Sequence, residues 1–169
     1  VGDMRTSPAD PFDSPLETGL RALVVLEAMY PRACDLSEMT WYDHLVVNTA
    51  DIADRDGGEG PRSLHPATPG RHDALNIRRQ AVEASLMLMH RVHLVEVRHC
   101  EDGIRYASGE TTPSFLDALQ APYMLRLKDR ARWLASRFEG MDAADIAAVV
   151  DRHVGLWAVQ FRSGEGDRP

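Results

Sequence analysis

Between Ala74 and Tyr106 the apolar residues change period, and few folds accommodate that change. Leu75, Val82, Leu86 and Met89 recur at helical spacing, with Ile77, Ala81, Leu88 and Val92 thickening the stripe. After Val92 the pattern alternates: Val95 and Val97 stand between Leu94, Glu96 and Arg98. Glu101-Asp102-Gly103 follows, where Gly103 is free to take a positive φ, and Ile104–Ala107 reads as a return strand. The stretch predicts a long helix running into a β-hairpin at about Leu94–Ala107.

Helices are predicted on both sides of this unit. Ser14-Pro15-Leu16-Glu17 is a helix start: Ser14 caps free N–H groups, Pro15 occupies the first turn without losing a bond, and Glu17 is placed for a capping box. Leu16, Leu20, Leu23, Val24 and Ala28 form the apolar side of that helix, which stops at Tyr30-Pro31. A second helix opens at Asp35 or Leu36 and runs to about Asn48, with Leu36, Met39, Tyr42 or Asp43, Val46 and Val47 facing inward and Trp41 packed over the first helix. Helices flanking a helix-fed hairpin make a mainly α, winged helix-turn-helix layout with a C-terminal helical extension. That layout alone does not name a ligand, since winged helices bind DNA in some proteins and other proteins elsewhere.

Charge narrows the choice. The 169 residues carry 26 acidic against 19 basic side chains, a formal net charge of -7. A stand-alone DNA binder usually needs a basic surplus, and the expected wing tip, Glu101-Asp102, is acidic. No apolar run approaches the ~18 residues of a membrane span and no signal-peptide pattern opens the chain, so a cytoplasmic location is expected. Cys34 and Cys100 lack C-x-x-C spacing and read as free thiols.

Residues that invite chemistry mostly fail on spacing. Asp51, Asp54 and Asp56 lack the D-x-D-x-D-G pattern and terminal glutamate of a calcium loop. His90, His93, His99 and Cys100 suggest a metal, but the strand between His93 and His99 separates them by roughly 20 Å. No nucleotide-binding glycine loop, His/carboxylate pair or nucleophile motif is present, so no catalytic residue, cofactor or metal is assigned.

Two other stretches stand out. Pro61–Arg71 carries three prolines and predicts a stiff extended strap bearing Ser63, Leu64, His65 and Arg71, either a docking surface or a spacer. Arg78 and Arg79 follow in the central helix, where Glu83 is spaced to pair with Arg79. After a short helix opened by Thr111-Thr112-Pro113-Ser114, Pro122 starts a longer one with Tyr123, Leu127, Ala131, Leu134 and Phe138 on one side. Arg126, Lys128, Arg130, Arg132 and Arg137 crowd its other positions, a solvated face or a surface for an acidic partner or a nucleic-acid backbone. A last helix is predicted from Asp142 to about Ala158, with Ile146, Val149, Val150, Val154 and Trp157 as its stripe.

Pro15-Leu16-Glu17-x-Gly19-Leu20-Arg21-Ala22-Leu23, Tyr30-Pro31, Asp35-Leu36, the strap Gly60-Pro61-x-Ser63-Leu64-His65-Pro66-x-Thr68-Pro69-x-Arg71, Arg78-Arg79 and Pro122-Tyr123…Arg130-Ala131-x-Trp133-Leu134 resemble the middle component of bacterial ABC three-component systems. The resemblance spans about Ser14 to Phe138, and the strap is its most specific part. It implies a non-enzymatic winged-helix adaptor acting beside an SMC-like ABC ATPase, related to chromosome-maintenance proteins, and an effector. Such systems, Lamassu-type operons among them, are associated with defence against phage and plasmids. It brings no catalytic residues with it.

The expected organisation is therefore a flexible arm over 1–13, a winged-helix core over 14–108, C-terminal helices over 109–161 and a tail over 162–169. Ser63, Leu64, His65, Arg71, Arg78, Arg79, Arg126, Arg130 and Arg137 are the expected partner-binding residues. DNA contact, if any, is expected only within the complex, a homodimer is left open, and a stand-alone DNA-binding regulator is the competing reading.

Overall fold

The computed structural model of the chain describes residues 14–53, 60–65, 72–142 and 144–152. The expected arm, the tail, Arg71 and the end of the predicted last helix with Val154 and Trp157 lie outside them. Helix α1 spans Pro15–Met29, and Ser14 Oγ accepts the Glu17 N–H at 3.2 Å at its start. Helix α2 (Leu36–Leu45) carries a complete capping box: Asp35 Oδ1 accepts the Glu38 N–H at 2.9 Å, and Glu38 Oε2 accepts the Asp35 N–H at 2.9 Å. It ends three residues before the expected Asn48, and a single-turn helix α3 (Ala50–Ala53) follows.

Helix α4 runs without a break over His72–Arg91. It lies along α1. Ser85 Oγ donates to Pro15 O at 3.1 Å, and a Cβ added to Gly19 would sit 2.2 Å from Met89 Cε, so glycine there lets the two helices approach. Their shared seam is apolar: Leu23, Leu26, Val82 and Leu86 are all buried. Leu88 and Val92, expected to thicken the buried stripe, instead stand 40% and 54% exposed, because α4 packs one face inward and theirs lies outside it.

At its end α4 turns through His93, whose φ of 63° reverses the chain into strand β1 (Val95–Cys100). Strand β2 (Gly103–Ser108) pairs with it antiparallel, in a register from Val95 opposite Ser108 to Cys100 opposite Gly103. Gly103 takes φ 126°, a conformation open to glycine and strained for other residues. Cys34, between α1 and α2, bridges the outer side of β2: its N–H donates to Tyr106 O at 2.9 Å and its carbonyl accepts from Tyr106 N at 2.8 Å.

Helix α5 (Thr112–Asp117) and helix α6 (Pro122–Arg137) complete the core. Thr111 makes no side-chain cap bond; Thr112 Oγ1 donates to Leu94 O instead and ties α5 to the hairpin base. Lys128 Nζ donates to Leu116 O at 2.6 Å and Leu119 O at 2.9 Å, closing the C-terminal end of α5. Met124, Leu127, Ala131, Leu134 and Phe138 bury the inner side of α6 against α1. A further helical stretch, residues 144–152, begins with Asp142 accepting the Asp145 N–H at 2.8 Å and buries Ile146 and Val150. The fold is thus mostly helical with one small antiparallel hairpin. Among the described residues no helix is long and apolar enough to cross a membrane.

Candidate functional site

The described part of the strap is held to its own domain at several points. Leu64 N–H and His65 N–H both donate to Val47 O, at 2.8 and 3.2 Å. Thr49 Oγ1 donates to Pro61 O at 2.7 Å, and Ser63 Oγ accepts the Ala50 N–H at 3.2 Å. On the other flank His65 Nε2 lies 3.0 Å from the Tyr123 hydroxyl with the two rings stacked, and Arg130 Nε donates to Arg62 O at 3.1 Å. The strap thereby joins the α2–α3 corner to the start of α6. Its extended backbone cannot bond to itself, so these side chains and carbonyls satisfy it.

Alongside lies a buried ion cluster. Arg21 and Asp43 are only 3% and 2% exposed, with Arg21 Nε donating to Asp43 Oδ1 at 2.6 Å. Arg78 Nη1 donates to Asp43 Oδ2 at 2.5 Å, and Arg21 Nη2 also reaches Thr18 Oγ1 at 3.1 Å. One carboxylate therefore answers two guanidinium groups drawn from α1 and α4, and α2 is fixed between them. The Tyr123 hydroxyl sits close enough to feel this cluster. Burial raises its pKa, Glu17 and Asp43 add to the effect, and Arg21 and Arg126 oppose it.

A second buried carboxylate organises the hairpin side. Glu38, besides its capping role, accepts from Arg32 Nη2 and faces Arg105 Nη1 at 3.9 Å. Arg32 Nη1 donates to the Tyr42 hydroxyl at 3.2 Å. Burial, reinforced by Glu38, pushes the neighbouring Cys34 thiol up to about 12, so it is a proton-bearing, unreactive group. Cys100 is exposed at the hairpin tip.

Of the expected partner-binding residues, Ser63, Leu64 and His65 face inward or sideways and hold the strap. Arg78 is spent on Asp43. Arg79 donates to Ser37 Oγ at 3.0 Å instead of pairing with Glu83. Arg126 is exposed and makes no ion pair among the described residues, Arg130 supports Arg62, and Arg137 has interactions of its own. The structure brings His65, Tyr123, Arg126 and Arg130 to one edge, while Arg79 lies on another helix beside α2. Sequence reading missed Asp43 and Arg21. The available signal was a carboxylate on the inner stripe of α2 and an arginine inside the apolar run of α1, types that are rarely buried unless paired. Among the described residues no three His, Cys, Asp or Glu side chains converge as a metal site would require.

The stretches that carry the resemblance meet here: Arg21 from the first, the strap, Arg78 from the Arg-Arg pair, and Tyr123 beside Pro122. A search of curated proteins and a search of solved structures each give no match. The family model for the ABC-three component (ABC-3C) system Middle Component 2 matches residues 11–160. That match takes in all the described elements, and the chain belongs to the Middle Component 2 family of ABC-three component systems.

Proposed function

We propose that this chain is a non-catalytic adaptor with a winged-helix core, linking an SMC-like ABC ATPase to an effector in a bacterial antiphage or anti-plasmid defence system. Membership of a middle-component family is the observation that carries the reading, because a middle component works with the other components of its system. The Cys34–Tyr106 bridge supports the winged helix: a short segment between α1 and α2 lies beside the hairpin that follows α4. The buried acids support a structural role. Asp43 and Glu38 are engaged by arginines and by a helix cap, and neither is placed as a free general base.

The competing DNA-binding regulator has less behind it. In that reading α4 would enter the major groove, yet its outward residues include Glu83, Ala84, Met87 and Leu88. Asp102 at the wing tip binds Arg105 at 2.5 Å, which takes up a cation that a phosphate would need. The test is co-expression of this chain with the two other components of its system, followed by size-exclusion chromatography. Co-elution with at least one of them is expected. Elution alone, together with a sequence-specific mobility shift on DNA at near-physiological salt, would favour the regulator.

A further inference from the structure

Several arginines elsewhere among the described residues are answered by carboxylates: Arg21 and Arg78 share Asp43, and Arg32 and Arg105 share Glu38. At the junction of the strap and α6 they are not. Arg62 and Arg126 are exposed, Arg130 is half-buried, and none of the three has a carboxylate partner among the described residues. They are neighbours, since Arg130 Nε donates to Arg62 O at 3.1 Å and Arg126 stands one turn earlier on α6. A local excess of positive charge on a chain of net charge -7 is a feature that a partner's charge would complete.

The patch is also pre-formed. Pro61 O and Ser63 Oγ, on either side of Arg62, are bonded to Thr49 and Ala50, and the stacked His65–Tyr123 pair anchors the same edge. Little backbone entropy remains to be lost when a ligand docks.

We infer that Arg62, Arg126 and Arg130 form a docking site for an acidic helical segment of a partner protein, one presenting carboxylates a helical turn apart. Arg126 and Arg130 rise about 6 Å along α6, the spacing of Glu or Asp residues at i and i+4 on a facing helix. Guanidinium groups fork onto carboxylates with directed paired bonds, which suits this spacing. A nucleic acid fits less well. Its backbone carries a charge every ~1.7 Å, more than three arginines can answer, whereas a short acidic helix with carboxylates one turn apart is matched by the patch. The inference rests on the adaptor reading for the identity of the partner and on the patch for its chemistry.

The test has two arms. In the first, fluorescence anisotropy follows the full chain binding a labelled Ala-rich helical peptide with Glu at i,i+4 positions, its Gln counterpart, and an oligonucleotide of equal charge. The Glu peptide is expected to bind at low salt and weaken as salt rises, with at least about tenfold loss in a triple variant, Arg62→Ser, Arg126→Ser and Arg130→Ser. Arg126→Ser alone, which removes no bond among the described residues, is expected to lose about threefold. Arg98→Ser with Arg132→Ser, at arginines already paired to Glu96 and Asp129, is expected to bind like wild type. Equal binding of the Gln peptide, unchanged affinity in the triple variant, or preference for the oligonucleotide overturns the inference.

In the second arm, the same variants are assembled with the two other components. Tenfold weaker assembly of the triple variant supports the site, and undiminished assembly overturns it while leaving the adaptor reading intact. A wild-type chain that binds the Glu peptide but neither component overturns the adaptor reading and leaves the patch chemistry standing.

Discussion

Asp43 is the residue whose removal the fold should tolerate least. It lies between two guanidinium groups, one of them wholly buried, and burial of an unpaired cation costs far more than the pair returns. Asp43→Ala should destabilise the domain by about 3–5 kcal/mol in urea unfolding, and Asp43→Asn should recover only part of that. The two thiols should separate as sharply. Maleimide should label Cys100 in the native protein and reach Cys34 only on unfolding, as mass spectrometry of labelled peptides would show. Burial raises the Cys34 thiol from its ordinary 9.0 to about 12. Above pH 9 the unfolded chain therefore gives up this proton before the folded one does. Stability should be unaffected by Cys34 below pH 9 and fall between pH 9 and 12, by at most about 1.4 kcal/mol per pH unit. Tyr42, also raised by burial, adds to the decline at the alkaline end. A Cys34→Ala variant should show a shallower fall in melting temperature from pH 9 upward.

Among the elements, the strap behaves as a clasp whose strength can be measured. Tyr123→Phe removes the hydroxyl facing His65 and should cost about 1 kcal/mol. The amides of Leu64 and His65, bonded to Val47 O, should then exchange hydrogen faster, while amides in the middle of α1 stay protected. The long helix, the hairpin and the turn at Gly103 were all legible in the sequence, because each follows from local periodicity or from a glycine's dihedral freedom. Helix starts were legible where a side chain near in sequence makes the cap, as at Ser14 and Asp35. At Thr111 the pattern misled, since Thr112 turns to Leu94 O, a contact made only in the folded chain. The same limit applies to Leu88 and Val92: helical spacing tells which residues share a stripe, not how wide a face the neighbours cover. The candidate site was half legible. The strap and the arginine-rich helix stand out by composition, but their meeting at His65–Tyr123 and Arg62–Arg130 joins positions 58 and 68 residues apart. The cluster at Asp43 joins α1, α2 and α4 and is equally invisible to local patterns.

For the whole molecule, charge and packing point to contacts with proteins. The chain is acidic overall, the buried charges Arg21, Asp43 and Glu38 are consumed in holding elements together, and Arg62, Arg126 and Arg130, with no carboxylate partner among the described residues, sit on one edge beside the strap. A stand-alone DNA reader would need free cations on the wing, where Arg98 and Arg105 are instead paired with Glu96 and Asp102. Direct titration of duplex DNA into the isolated chain at near-physiological salt should therefore yield no sequence-specific complex. The most direct measurement of the adaptor claim is the association of the ATPase with the effector, followed by analytical ultracentrifugation with and without this chain. The account predicts that the two co-sediment only when the chain is present, in a complex containing all three. Co-sedimentation of ATPase and effector to the same extent without it, with the chain left free, would contradict the account.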